Sequence, residues 1–193
     1  MKKPLFVVPR WSGDSTSDWY PWLGRRLAEM PEVAFIPEVV PLHPDPDEPA
    51  IEECVGALRR AVGTGSQAAR RTILVGHSVG CQVILRYLAT LPERGVFTGI
   101  LCVAGWWTVD EPWASIRPWV ETPIDPARAR AALDRIVVLL SDNDPYTADF
   151  AANWKIWKEK PGAEVHLFSG AGHFNRAEEP AVLDSLAECF GVR

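Results

Sequence analysis

Ile73-Leu74-Val75-Gly76-His77-Ser78-Val79-Gly80-Cys81 is the stretch that decides the fold. A short apolar run closing in Gly-His-Ser-Val-Gly fits a strand, a very tight turn and a helix, with one serine at the apex. Gly76 and Gly80 lack the Cβ atoms that would collide where strand and helix backbones close on each other. Ser78 then projects from the carboxyl edge of a sheet, and Val79 offers its backbone N–H from the first helical turn. The five-residue pattern also fits an ordinary strand-to-helix turn, so its weight depends on what lies on either side.

Working outward, the chain alternates strands and helices. Leu5 to Pro9 reads as a buried strand, and the turn-forming loop from Arg10 to Thr16 follows it. Ser17 or Asp18 is placed to cap a helix from Trp19 to Met30 that Pro31 stops, with Trp19, Trp22, Leu23 and Leu27 on one face. A second strand is expected over Ala34 to Val40, a proline-punctuated connection over Pro41 to Pro49, and an amphipathic helix over Glu48 to Val62. The strand Thr72 to Gly76 runs into the serine turn and the helix Val79 to Leu91. A strand from Gly99 to Ala104 leads into an irregular, Trp- and Pro-rich excursion from Gly105 to Pro126. A short helix Ala127 to Leu133, strand Ile136 to Leu140, helix Ala148 to Lys158, strand Glu164 to Phe168 and helix Pro180 to Phe190 complete the series. About six strands alternating with helices predict a three-layer α/β/α sandwich around a mainly parallel sheet, in one domain over residues 1–193. Ligands of such sheets gather at the carboxyl ends of the strands, and the chemically suggestive residues here fall at those ends.

A serine hydroxyl is a poor nucleophile at neutral pH and needs a base oriented by a carboxylate. Both are present, in the order Ser, Asp, His. Ser141-Asp142-Asn143-Asp144-Pro145-Tyr146 follows one strand, and Ser169-Gly170-Ala171-Gly172-His173-Phe174 follows another. His173 is the candidate base, on a loop whose small residues let it lie close to the turn at Ser78. Asp144 is chosen as its acid over Asp142, because Pro145 fixes the backbone after Asp144 while Asp142 sits nearer the strand and suits a turn hydrogen bond. Acyl chemistry also needs donors for a developing oxyanion. The Val79 N–H is one, and the loop after the first strand should give the second, from Trp11 ahead of Arg10.

Nine tryptophans are many for 193 residues, and Trp106, Trp107, Trp113 and Trp119 crowd the excursion. Trp106, Trp107 and Trp119 are candidate walls of an apolar acyl pocket, the alternative being that they pack the excursion down as core. Trp154 and Trp157 suit a core or partner surface. His77 is expected to pack structurally, and His43 and His166 to lie at the surface. No spacing of histidines, cysteines and carboxylates suggests zinc, and no glycine-rich phosphate loop is present, so no metal and no cofactor are expected. Cys54, Cys81, Cys102 and Cys189 stand singly in apolar surroundings and read as reduced thiols.

With 47% hydrophobic and 23% charged residues the chain is a globular protein rather than a disordered one. A net charge of −5 disfavours nucleic acid and anionic membranes as partners. The apolar run after Pro4 is too short for a signal-peptide core, which predicts a cytoplasmic protein. The expected partner is a small acyl substrate, with the chain a monomer or weak homodimer.

The chain resembles the α/β-hydrolase superfamily, and more narrowly the small cap-less serine hydrolases similar to retinoblastoma-binding protein nine and the YdeN-like proteins. The likeness rests on Val8-Pro9, on Asp18 to Leu23, on Gly-His-Ser-Val-Gly-Cys from Gly76, on Arg117-Pro118-Trp119, on Ser141 to Pro145 and on Gly172-His173-Phe174. It departs from the pattern at Arg10-Trp11, where many relatives carry glycine. The resemblance implies Ser78 as nucleophile, Asp144 as acid and His173 as base. The expected activity is hydrolysis of a small carboxylic ester through an acyl-enzyme. A peptidase or thioesterase on the same residues, and a binding protein that keeps the hydrolase shell, are the rival readings.

Overall fold

The computed structural model describes residues 3–30, 35–42, 50–63, 72–91 and 97–192. Six parallel strands form one sheet: β1 (Lys3–Val8), β2 (Phe35–Val39), β3 (Ile73–His77), β4 (Phe97–Val103), β5 (Leu133–Ser141) and β6 (Glu164–Phe168). Their order across the sheet is β2-β1-β3-β4-β5-β6. The chain leaves β1 toward β2 on one side and returns to build β3 on the other, so the connections after β1 and β3 part from each other. A crevice opens at such a switch point beyond the strand ends. Arg10-Trp11 lies at the end of β1 and Ser78 at the end of β3.

Both faces of the sheet are covered, as continuous apolar strands require. Side chains alternate along each strand, so Leu5, Val7, Ile73, Val75, Leu101, Val103, Val137 and Leu139 enter one core, with Trp19, Tyr20, Leu23 and Leu27 of the first helical segment and Val182 and Leu186 of the last. Phe6, Val8, Leu74, Ile100, Cys102, Ile136 and Val138 enter the other. The helices are α1 (Tyr20–Glu29), α2 (Ile51–Val62), α3 (Val79–Ala89), α4 (Arg117–Glu121), α5 (Pro126–Ala131), α6 (Phe150–Glu159) and α7 (Pro180–Phe190). α1 and α7 cover the first face. α3 crosses the second, buried along nearly its whole length from Val79 to Leu88.

Several boundaries differ from the sequence expectation for local reasons. Neither Ser17 nor Asp18 caps α1: Trp19 holds that position without a side-chain cap, Pro21 sits in the first helical turn, and Asp18 is bound to Arg10 instead. The short helix ends at Ala131, and Leu133 opens β5 because it pairs with Phe97 of β4. α6 begins at Phe150 rather than Ala148, with Asp149 accepting from the Ala152 N–H as its cap. The excursion contains one ordered helical turn, α4. The expected starts of the second strand and second helix, the connection holding His43, and Pro31 lie outside the described residues. All four cysteines are free thiols, three of them buried and Cys189 half-buried. Among the described residues no helix is long and apolar enough to cross a membrane.

Candidate active site

Ser78 sits where β3 turns into α3 with φ 54° and ψ −118°, a strained conformation for a residue bearing a Cβ. The glycines on either side let the neighbouring backbones close in around it. A Cβ on Gly76 would stand 2.7 Å from the Cys81 nitrogen, and one on Gly80 would run into the Val8 carbonyl oxygen. The start of α3 is therefore pressed against the end of β1, and the Ser78 N–H is tied to the Val103 carbonyl oxygen of β4 at 2.9 Å.

The acid and base loops are stitched together by three acceptors from consecutive residues. Asp142 Oδ1 accepts from the Gly170 N–H at 2.8 Å, and Asn143 Oδ1 accepts from the Gly172 N–H at 2.7 Å. Asp144 Oδ2 meets His173 Nδ1 at 2.7 Å, and its other oxygen accepts from the Tyr146 N–H at 3.0 Å. Asp144 and His173 are both buried. The geometry thus puts Asp144 against the histidine and Asp142 against a loop amide. That amide bond, with the Ser169 hydroxyl, holds the Asp142 carboxyl below its usual range. A carboxylate only accepts, so the proton between them sits on His173 Nδ1, and in the neutral ring Nε2 is the nitrogen left to accept.

Ser78 and His173 line one pocket of about 230 Å³, together with Trp11, Trp106, Trp113 and Tyr146. Ser78 Oγ accepts from the Trp106 indole N–H at 3.3 Å. Among the described hydrogen bonds none joins Ser78 Oγ to His173, a contact that in unliganded hydrolytic sites often tightens only with substrate in place. The Tyr146 ring stands edge-on to the His173 imidazole at 4.7 Å, and Trp113 lies edge-on to Trp11 at 5.6 Å. Val109 and Ile116 close the buried end of the pocket.

Of the two amides proposed for an oxyanion, Val79 opens α3, where backbone N–H groups have no intrahelical partner. Arg10, the second choice after Trp11, spends its amide on Tyr20 Oη at 3.0 Å. The Trp11 and Val79 amides find no protein acceptor among the described residues. The loop is tightly wound: Gly13 N–H returns to the Arg10 carbonyl oxygen, and the Arg10 guanidinium holds Trp11 O at 2.7 Å while pairing with Asp18 at 2.6 Å.

Among the tryptophans only Trp106 of the three proposed walls reaches the pocket. Trp107 turns the other way, its amide donating to Asn153 Oδ1 at 2.6 Å and its ring packed edge-on against Trp157 of α6. Trp119 is buried below α3, where Arg86 donates to its carbonyl oxygen at 2.8 Å and lies over its ring. Burial lowers the Arg86 pKa to about 10. Both rings pack the excursion down as core. Tyr146 and Asn175, two residues beyond Asp144 and His173, are pocket residues that their nearness to the motifs would have suggested. Nothing in the sequence singles out Val109 or Ile116.

His166 is half-buried and meets Glu164 Oε1 at 2.9 Å. Glu164, His166 and Cys189 form the one group of possible metal donors among the described residues. It lies where β6 begins, at the opposite end of the strands from Ser78, and Arg135 already bonds Glu164 there.

The profile described as serine hydrolase matches residues 5–187. The chain belongs to the serine hydrolase family. It is 33% identical over 105 residues to YdeN of Bacillus subtilis strain 168, a protein provisionally named a hydrolase, and the matched stretch spans 54% of this chain and 52% of that one, about half of each. The crystal structure of the Bacillus subtilis ydeN product superposes with a TM-score of 0.81 at 24% identity, over 98% of this chain and 100% of that one. A YdeN-like hydrolase of Pectobacterium atrosepticum gives 0.69 at 21%, covering 98% and 92%. A study of carboxylesterases from the thaumarchaeon Nitrososphaera gargenis supplies a further match of 0.71 at 15%, covering 99% and 90%. At these identities the structural likeness speaks to the α/β-hydrolase fold.

Proposed function

We propose that the protein hydrolyses a small carboxylic ester through an acyl-enzyme on Ser78, with His173 as general base and Asp144 as the acid that orients it. The observation that carries this reading is the buried Asp144–His173 pair at 2.7 Å, which leaves Nε2 bare on a ring that shares its pocket with a serine held on a strained turn.

In the first half-reaction Ser78 Oγ gives its proton to His173 Nε2 as it attacks the acyl carbon. The carbonyl oxygen becomes an oxyanion facing the Trp11 and Val79 amides. Collapse breaks the bond to the alkoxy oxygen, and His173 returns its proton to that leaving group. In the second half-reaction His173 takes a proton from water, the hydroxide attacks the acyl carbon, and Ser78 leaves with the proton restored. The charge that appears on His173 in each half is opposite in sign to Asp144, which stays ionised. Each oxyanion donor is worth about 2.7–4 kcal/mol of barrier in hydrolases of this kind.

A pocket of about 230 Å³ walled by Trp106, Val109 and Ile116 favours short acyl chains, since drug-sized ligands use roughly 300–1,000 Å³. The unmade Ser78–His173 bond is the observation that favours a binding protein on the same shell. A fluorophosphonate probe separates the two readings by intact mass. Stoichiometric labelling of the wild type, absent in Ser78→Ala, supports hydrolysis; a folded wild type that takes up no label argues for binding. Among labelled proteins, faster turnover of long-chain esters than of acetate and butyrate esters would overturn the small-substrate assignment. Matched thioester and amide substrates then test the bond type.

A further inference from the structure

His77 precedes the nucleophile and is fully buried, yet both of its ring nitrogens are bonded. Nδ1 meets Tyr20 Oη at 2.8 Å, and Nε2 meets the His173 carbonyl oxygen at 2.8 Å. Tyr20 Oη in turn receives the Arg10 N–H at 3.0 Å.

The protons along this row follow from what each group can do. A carbonyl oxygen only accepts, so Nε2 carries a proton. Burial, reinforced by the neighbouring His173, holds the His77 pKa well below its ordinary value, so the ring is neutral and Nδ1 is bare. Nδ1 therefore accepts, and Tyr20 is the donor. Burial also raises the Tyr20 pKa, which keeps that proton in place. The Tyr20 oxygen is left to accept from Arg10. Asp18 Oδ2 is the remaining charged group near Nδ1, 3.9 Å away, and it is engaged by Arg10 Nε at 2.6 Å.

We propose that Tyr20 and His77 are positioning residues of the hydrolytic site: the row from the Arg10 amide through Tyr20 and His77 to the His173 carbonyl refers the oxyanion loop and the base loop to the strand that carries Ser78. The inference rests on the hydrolase reading above. β3 is still paired at this point, with His77 opposite Val103 of β4, and Ser78 follows directly. One end of the row uses up the Arg10 N–H, while the next amide, that of the pocket-lining Trp11, has no protein acceptor among the described residues. The other end grips the backbone of the base itself. No part of the row touches the reacting atoms, so its effect is on distance.

Tyr20→Phe keeps the ring and removes the link, stranding a buried acceptor on His77 and a donor on Arg10. A shift of about 1 Å in either loop costs about 10²-fold in rate. Ser78 phosphonylation and kcat on 4-nitrophenyl acetate should fall by about that factor, with KM little changed. Tyr87→Phe is the control for a merely structural loss. Its hydroxyl is also largely buried and donates to the Gly63 carbonyl oxygen at 3.4 Å, on the opposite face of the sheet. It should leave both rates unchanged. His77→Gln can still donate toward the His173 carbonyl, and His77→Asn can still accept from Tyr20, so each should retain more rate than His77→Ala. Tyr20→Phe labelling at the wild-type rate, or slowing no more than Tyr87→Phe, would overturn the proposal. Should Tyr20→Phe melt below the assay temperature, His77→Gln and His77→Asn both as slow as His77→Ala would overturn it. A wild type that takes no label removes the hydrolase reading and this inference with it; a labelled wild type beside an unaffected Tyr20→Phe removes the inference alone.

Discussion

The strand-end loops bearing Ser78, Asp144 and His173 and the excursion between β4 and β5 face the same pocket, but different contacts hold them. In the loops the backbone is bound by near neighbours and by the facing loop: Gly80 under β1, Gly170 and Gly172 under Asp142 and Asn143. In the excursion the backbone is bound by long side chains reaching up from helices. Gln82 donates to the Trp106 carbonyl oxygen, Arg86 to those of Trp119 and Thr122, and Asn153 accepts from the Trp107 and Thr108 amides. The first arrangement fixes reacting groups closely. The second sets the shape of a pocket wall, and its residues can change without altering the turn at Ser78. Substitutions should therefore separate rate from stability along this division.

The largest expected effect is on the loop side. Asp144→Asn removes the carboxylate that selects the His173 tautomer while keeping the side chain's shape, and kcat should drop about 10⁴-fold with the melting temperature little changed. Circular dichroism alongside an ester assay checks both halves. A loss of fold in step with the loss of rate would dissolve the distinction between the two regions.

On the excursion side the expectation is reversed. Trp119→Ala empties a buried site of its ring and should cost about 3–5 kcal/mol of stability, with kcat per folded molecule preserved. Urea denaturation and active-site titration on one preparation read the two quantities separately. A kcat that fell with Trp119 would mean the wall and the reacting groups are coupled.

That division also governs what was legible in the sequence. The Ser78 turn, the candidates Asp144 and His173 and the alternation of strands with helices announce themselves because their determinants are local: a glycine two residues away, a proline next door, an unbroken apolar run along a strand. The direction of each tryptophan is not local. Trp106 and Trp107 are adjacent, yet one faces the pocket and the other α6, and the partners that decide this, Gln82 and Asn153, lie 24 and 46 residues away. Whether Trp119 is wall or core stays open in the sequence for the same reason, since nothing near it in the chain reveals Arg86. The expected cap at Ser17 or Asp18 failed similarly, because Arg10 captures Asp18 from across the loop. The sequence suits His77 to a structural, packing role, and its burial agrees; its two hydrogen bonds form only where α1 and the base loop meet over the end of β3.

A smaller effect tests the state of His77 itself. Its pKa is well below the ordinary 6.5 in the folded protein, so below that pH the unfolded chain takes up a proton that the native chain does not. Stability from this group is complete at neutral pH and is lost as pH falls below about 6.5, by at most about 1.4 kcal/mol per pH unit. Urea midpoints between pH 7 and 5 should fall more steeply for the wild type than for His77→Asn. Parallel curves would mean that burial does not disfavour the charged ring, and a wild type that gained stability in acid would mean that Nδ1 carries a proton and donates to Tyr20.

The smallest effect is expected at Asp142, and it discriminates most finely between the loops' two acids. Asp142 accepts from the Gly170 amide, and an asparagine keeps an oxygen able to do the same, so Asp142→Asn should leave kcat close to wild type and lower the melting temperature only slightly. Its remaining contribution is ionic. The Asp142 carboxyl is held below its ordinary 3.8, so what the charge contributes is present above that pH and is lost as pH falls through the lower folded value. The variant and wild type should accordingly converge in stability in acid. Asp142→Asn proving more damaging to kcat than Asp144→Asn would exchange the two roles, and would imply that the base loop swings on binding substrate far enough for His173 to leave a partner it now meets at 2.7 Å.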